Sequence, residues 1–239
     1  YLRDLRFGLV TASLREQAHL ATVAPHLVRP TPFLLPMYRD SEPSPTAMRI
    51  GMRVCRALSP SHAAKAHRRL SAAETVLHEP LLAPDGLAGG LLHQEYVTHD
   101  SRLVVETILA AREGGAVTAN YVSRVVSLTE KGRAIGAVAH DAISGGRFDI
   151  RARVVVNATG PWRETASSQG AGAPITLTKG AHVLLPDHRL PLQQAVAFLS
   201  PRDGRALFGV PQSGFVYLGT TETPYHGNPG DVVADGADV

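Results

Sequence analysis

Apolar residues recur at three- and four-residue spacing in Leu2, Leu5, Leu9, Val10, Leu14, Ala18 and Ala21, which predicts a long amphipathic helix over residues 2–24, ended by Pro25. Pro30, Pro32 and Pro36 then punctuate an extended segment around Phe33, Leu34 and Leu35, read as an edge strand or a pocket wall. A second helix is expected over 46–58, stopped before Pro60, with a polar or helical stretch over 61–79 and a Gly/Pro-rich turn from Ala83 to Gly90. Leu91 to His99 reads as a strand. Asp100 is placed to cap a helix over 101–113, with Gly114-Gly115 as its stop.

Past that helix the period changes to two. Val117 to Leu128, Ala134 to His140, and the alternation of Phe148, Ile150, Ala152 and Val154 predict a meander that runs into Val154-Val155-Val156. Three adjacent valines are apolar on both faces, which suits a buried parallel strand. Ile175 to Leu185, Ala195 to Leu199, Ala206 to Val210 and Phe215 to Gly219 are short strands with few helices between them, as in an antiparallel sheet. The expected fold class is therefore α/β (α+β): part of a dinucleotide-binding-type domain, plus a domain built on an antiparallel sheet. The expected division gives 1–45 and 91–174 to the first, and 46–90 and 175–239 to the second.

Composition narrows the picture modestly. A chain of 239 residues with 44% hydrophobic content has enough apolar surface for a real core. A formal charge of +3 from scattered arginines, with no dense basic tract, gives little support to nucleic-acid binding. Cys55 is the single cysteine, so an intramolecular disulfide is ruled out and a reducing compartment is the simpler expectation. Its neighbours Met48, Met52, Val54 and Leu58 mark it as a packing residue. Tyr1 enters a helical pattern with no cap before it, and Asp231 to Val239 trails off acidic and small. The sequence is expected to be a piece of a larger protein.

Chemistry concentrates in three places. Asn157-Ala158-Thr159-Gly160-Pro161 follows the valines as a run of small residues, with Pro161 placed to begin a helix. It is either a loop that lets a nucleotide-type cofactor approach the backbone or an ordinary strand-to-helix junction. In Lys179-Gly180-Ala181-His182, the glycine permits a sharp turn before an apolar strand. His182 is either a proton acceptor in a cleft or a strand histidine hydrogen-bonded for structure. Gly219-Thr220-Thr221-Glu222 either lines a polar pocket or shapes a turn. No G-x-G-x-x-G follows a strand, Gly170-Ala171-Gly172 is a weak substitute, and there is no P-loop. His62 and His67 have a spacing seen in some zinc sites, but no cysteine pair accompanies them, and a solvated helix is the preferred reading.

Pro25-His26-Leu27-Val28, Phe33-Leu34-Leu35-Pro36, Asn157 to Trp162, Lys179 to His182 and Gly219-Thr220-Thr221 occur in one order along the chain. Together they resemble the FAD-dependent, aerobic-type glycerol-3-phosphate dehydrogenase family, within the amino-acid-oxidase-like flavoproteins, from Tyr1 to about Gly230. The resemblance implies FAD as cofactor and oxidation of sn-glycerol 3-phosphate to dihydroxyacetone phosphate, with electrons passed on to a quinone. It places Ala158, Thr159, Gly160 and Trp162 at the cofactor, with Thr159 and Gly160 near the flavin diphosphate, and Val122 at the adenine side through its backbone. His182 is the implied base, and Tyr1 and Thr221 are implied at the substrate. It also implies a cytoplasmic protein, free or peripheral on the inner face of the membrane, with no nucleic-acid partner.

The departures are equally specific. The N-terminal strand with its glycine fingerprint, the acidic residue that holds the ribose and the C-terminal basic residues for the substrate phosphate are not in this sequence. Glu222 stands where the family has an aspartate, and Gln212 follows Pro211 where an aromatic is common. This stretch alone is expected to bind FAD poorly and to be inactive. The alternatives are a related flavoprotein oxidoreductase acting on another small hydroxy or amino substrate, a non-catalytic remnant of the fold, and an NAD-type dehydrogenase.

Overall fold

The computed structural model describes residues 6–59, 67–162, 176–200, 204–236 and 238. In chain order these form α1 (Phe7–Val23), β1 (Val28–Tyr38), α2 (Pro45–Leu58), β2 (Arg68–Leu70), α3 (Ala72–His78), β3 (Leu87–Thr98) and α4 (Asp100–Glu113). The meander follows as β4 (Val122–Glu130), β5 (Arg133–Asp141) and β6 (Arg147–Arg151). The last part holds β7 (Leu177–Lys179), β8 (His182–Pro186), β9 (Ala195–Leu199), β10 (Ala206–Gln212), β11 (Phe215–Gly219) and β12 (Thr223–Tyr225).

Two compact units emerge, Tyr1–Thr107 with Ala181–Thr221 and Val239, and Ile108–Gly180 with Glu222–Asp238. These packing units run across the boundaries expected from the sequence, because 28–38 and 68–98 share one sheet.

The first unit is organised on a seven-stranded sheet in the order β2-β3-β1-β9-β10-β11-β8. Every neighbouring pair is antiparallel except β1 with β9. The segment around Phe33 is thus an interior strand, where an edge strand was one expectation. Pro30, Pro32 and Pro36 share the strand period of two, so their missing N–H groups lie along one edge of β1. β3 pairs the whole of β1, whereas β9 pairs it only at Phe33 and Leu34. Leu34, Leu91, Val196 and Val216 are buried on this sheet, with Phe33 and Met37 beside them.

The helices follow their punctuation. Ser44 Oγ accepts from Ala47 N at 3.3 Å, with Pro45 in the first turn, which sets the start of α2. Ser71 and Glu74 form a reciprocal capping box on α3. Gly114 N donates to Ala110 O, and Gly115, at φ +91°, closes α4.

Gly89 and Gly90 are not in a turn. They lie inside β3, where a Cβ on Gly89 would stand 2.5 Å from Leu70 O, and one on Gly90 would stand 2.8 Å from Thr75 Oγ1. The glycines are there so that β2 and α3 can approach.

In the second unit, β4-β5-β6 form a three-stranded antiparallel sheet and β12-β7 a two-stranded one. Gly136 of β5 sits so close to β6 that a Cβ would stand 2.0 Å from Ile150 O. Gly136→Ala is therefore expected to cost about 1–3 kcal/mol through forced displacement of a paired strand. Chemical denaturation of the complete protein checks this.

The buried parallel valine strand is not found. β6 ends at Arg151, and residues 154–159 have no strand partner among the described residues. Val154 is 73% and Val156 80% exposed. A strand apolar on both faces needs a neighbour at each edge and a layer on each face, and the described residues supply neither.

Candidate functional site

The candidate residues fall into two groups, one in each unit, and Tyr1 lies outside the described residues. In the first unit, β8 and β11 pair so that His182 stands opposite Gly219. The imidazole lies directly against that glycine: a Cβ there would be 2.8 Å from His182 Cδ2 and 3.0 Å from Ala181 O. His182 is an exposed residue, and its Nε2 is 2.8 Å from Thr220 Oγ1.

The two threonines do different work. Thr221 N donates to Ala181 O at 3.1 Å, and Thr221 Oγ1 accepts from Ala181 N at 3.1 Å. That hydroxyl closes the strand-end turn on Ala181, whereas the one facing the histidine belongs to Thr220. The sequence named the pair without separating these roles.

In the second unit, Asn157 Oδ1 accepts from Thr159 N at 3.2 Å and from Thr159 Oγ1 at 2.7 Å, a local turn of the kind asparagine favours. Trp162 N donates to Thr159 O at 3.1 Å, and Gly160–Trp162 form a short 3-10 turn containing Pro161. Gly160 adopts φ +56°, the left-handed region that suits glycine, with nothing within 4 Å of where a Cβ would lie. Ala158, Thr159 and Gly160 are all exposed, and Trp162 is 45% exposed. Small, exposed residues on a turned backbone are what a diphosphate-bearing cofactor needs for close approach. In that respect the loop fits FAD.

Val122 opens β4 opposite Asp141. The same small sheet carries a cavity of about 570 Å³ lined by Ser123, Val126, Val138, Ala139, His140 and Arg147. No sequence signal singled out these residues, because strand alternation alone does not show which face is hollow.

Lys179, the lysine of the histidine motif, is held by carboxylates. Its Nζ lies 2.8 Å from Asp238 Oδ2 and 2.9 Å from Asp235 Oδ2. Hydrogen bonds donated by Nζ to Asp238 and then to Asp235 hold the lysine above its ordinary pKa, and the hydrogen bond accepted from Lys179 holds the Asp238 carboxyl below its own. The lowered carboxyl contributes stability above the unfolded aspartate value of about 3.9, and that contribution is lost as pH falls through the folded value. Asp238→Asn is thus expected to be less stable than the parent at neutral pH, with the gap closing in acid. Denaturant unfolding as a function of pH checks the sign.

Two other candidates resolve as structural. Cys55 is half-buried on α2, and burial followed by the charge of Glu95 raises its thiol pKa, the opposite of an activated nucleophile. His67 precedes β2 in place of a helix, and its Nε2 donates to Met52 O at 2.8 Å. His62 lies outside the described residues, and no metal-holding group of three or more His, Cys, Asp or Glu occurs among the described ones.

A family model described as FAD dependent oxidoreductase matches residues 1–238. The chain belongs to that family. FAD, the cofactor expected from the sequence, is the one for which the family is named. Among relatives, the aerobic glycerol-3-phosphate dehydrogenase of Bacillus subtilis is 36% identical over 229 residues, covering 94% of this chain and 41% of that protein. The aerobic glycerol-3-phosphate dehydrogenase of Staphylococcus saprophyticus is 34% identical over 242 residues, covering 100% of this chain and 43% of that protein. The crystal structure of glycerol-3-phosphate dehydrogenase from Bacillus halodurans complexed with FAD matches with a TM-score of 0.74 at 31% identity, over 98% of this chain and 41% of that one. The chain thus spans about two fifths of the length of these relatives.

Proposed function

We propose that the complete protein oxidises sn-glycerol 3-phosphate to dihydroxyacetone phosphate and passes the electrons to a quinone. The observation that carries this reading is His182, seated against Gly219 and hydrogen-bonded to Thr220, in a chain about a third identical to aerobic glycerol-3-phosphate dehydrogenases. FAD, when bound, supplies the acceptor for the hydride that leaves the alcohol carbon. His182 takes the proton of the same alcohol, so one hydride and one proton depart and a carbonyl forms.

Thr221 keeps the β8–β11 end closed by its bonds to Ala181 and so fixes the wall beside the substrate. Ala158, Thr159 and Gly160 would hold the cofactor through their backbone, with Trp162 beside them and Val122 toward the adenine. Tyr1 is assigned to the substrate by resemblance alone. The region 46–90 and 175–239 is assigned to substrate binding, and 1–45 and 91–174 to the cofactor. Residues 1–239 alone, about two fifths of the length of their relatives, bind FAD weakly and do not turn over.

On the same reading the protein is cytoplasmic, free or peripheral on the inner face of the membrane where quinone is available. No helix among the described residues is long and apolar enough to cross a membrane. Dye reduction by the purified complete protein tests the reaction. Turnover that requires the phosphate of glycerol 3-phosphate supports it, whereas turnover only with unphosphorylated hydroxy or amino substrates overturns it. Reduction of a short-chain quinone in place of the dye is the expected outcome for the acceptor.

A further inference from the structure

We propose that Thr220 is the positioning residue for His182, holding the imidazole as its Nε2–H tautomer so that Nδ1 is the nitrogen that takes a proton. This rests on the reading of His182 as the base. A neutral imidazole carries one N–H and one lone pair. The contact between His182 Nε2 and Thr220 Oγ1, at 2.8 Å, is a full hydrogen bond, so the direction of donation decides which nitrogen is basic. If the hydroxyl donates, Nε2 is occupied as an acceptor and Nδ1 carries the proton, leaving the ring no lone pair for an alcohol. If Nε2–H donates to the hydroxyl oxygen, Nδ1 keeps the lone pair, and the ring works as a base.

The surroundings make Thr220 the residue suited to this task. Gly219 lets the ring lie flush against β11, so rotation of the imidazole is limited on that side. Thr221 is already committed to Ala181 through both its amide and its hydroxyl, so it is not available to the ring. Of the two adjacent threonines, only Thr220 has its hydroxyl on the imidazole. A second group that fixes a histidine's tautomer is a recurring part of base catalysis, and the effect follows from orientation without contact to the substrate.

The test uses the complete flavin-loaded protein and its Thr220→Val and Thr220→Ser variants, with nitrogen-15 NMR of the histidine side chains as a readout that does not depend on turnover. A His182→Asn variant assigns the His182 signals. Wild type is expected to show the Nε2–H form of neutral His182, and Thr220→Val a mixture of tautomers. kcat should fall about three- to tenfold in the valine variant, the weight of one hydrogen bond, with KM for glycerol 3-phosphate within about twofold. The serine variant should restore both the tautomer and most of kcat.

An Nδ1–H form in wild type, or an unchanged tautomer in Thr220→Val, overturns the assignment. Failure of the underlying reading looks different: the spectra show the Nε2–H form held by Thr220, while His182→Asn turns over as wild type.

Discussion

His182→Asn in the complete protein is expected to lower turnover with glycerol 3-phosphate by roughly two to four powers of ten, the range for loss of a positioned general base. Asparagine is the informative replacement because it is smaller than the ring and still polar. The ring lies against Gly219, where a Cβ would come within 2.8 Å of Cδ2, so a smaller side chain enters without displacing β11. Its amide ends at the level of Nδ1, short of Nε2, so the Thr220 hydroxyl at this exposed contact is left to water. The loss should therefore appear in turnover while the flavin content and the unfolding temperature stay near wild type. Single-turnover reduction by glycerol 3-phosphate measures the step in which the alcohol loses its proton, and near-normal rates across the pH range would remove His182 from the mechanism.

The largest expected effect on stability comes from a residue with no part in chemistry. Glu79 follows α3 and is fully buried. One carboxylate oxygen accepts from Leu81 N at 3.2 Å and the other from Gln193 N at 2.8 Å. Gln194 Nε2 donates to His78 O at 2.9 Å, so the end of α3 is stitched to the segment entering β9. That segment sets the pairing of Ala195 with Phe33, the one parallel contact in the large sheet.

Glu79→Ala leaves two backbone donors without their acceptor and opens a cavity, for a cost of about 3–5 kcal/mol. The apparent unfolding temperature should fall by about 10 °C. Glu79→Gln keeps one acceptor oxygen and should lose less. A change within a degree for the alanine variant would contradict the assignment.

The elements with strong local punctuation were readable from residues alone. Pro25 stops α1 next to its C-cap Ala24, Ser44 and Pro45 start α2, and Gly114-Gly115 ends α4, in which Asp100 is the first helical residue and not the cap before it. The antiparallel character of the last third followed from short apolar runs set between turns. What depended on distant partners was not readable. β2 offers two arginines and one leucine, and it is a strand only because β3 pairs it.

Gly89-Gly90 reads as a turn in a local window, which does not contain the close approach of β2 and α3. The valine run carried a true signal of apolarity, but burial of a two-faced strand needs neighbours that the described residues do not provide. At the site, sequence order pointed to His182, the small-residue loop and the double threonine. It did not divide the work between Thr220 and Thr221, nor show that Lys179 is tied up by Asp235 and Asp238.

Anaerobic addition of sn-glycerol 3-phosphate to the purified complete protein, followed by flavin absorbance, shows whether this alcohol reduces the flavin. The oxidised flavin band should bleach with sn-glycerol 3-phosphate and not with glycerol. A protein that carries flavin yet is reduced equally by glycerol, or by an amino acid and not by glycerol 3-phosphate, would contradict the proposed reaction.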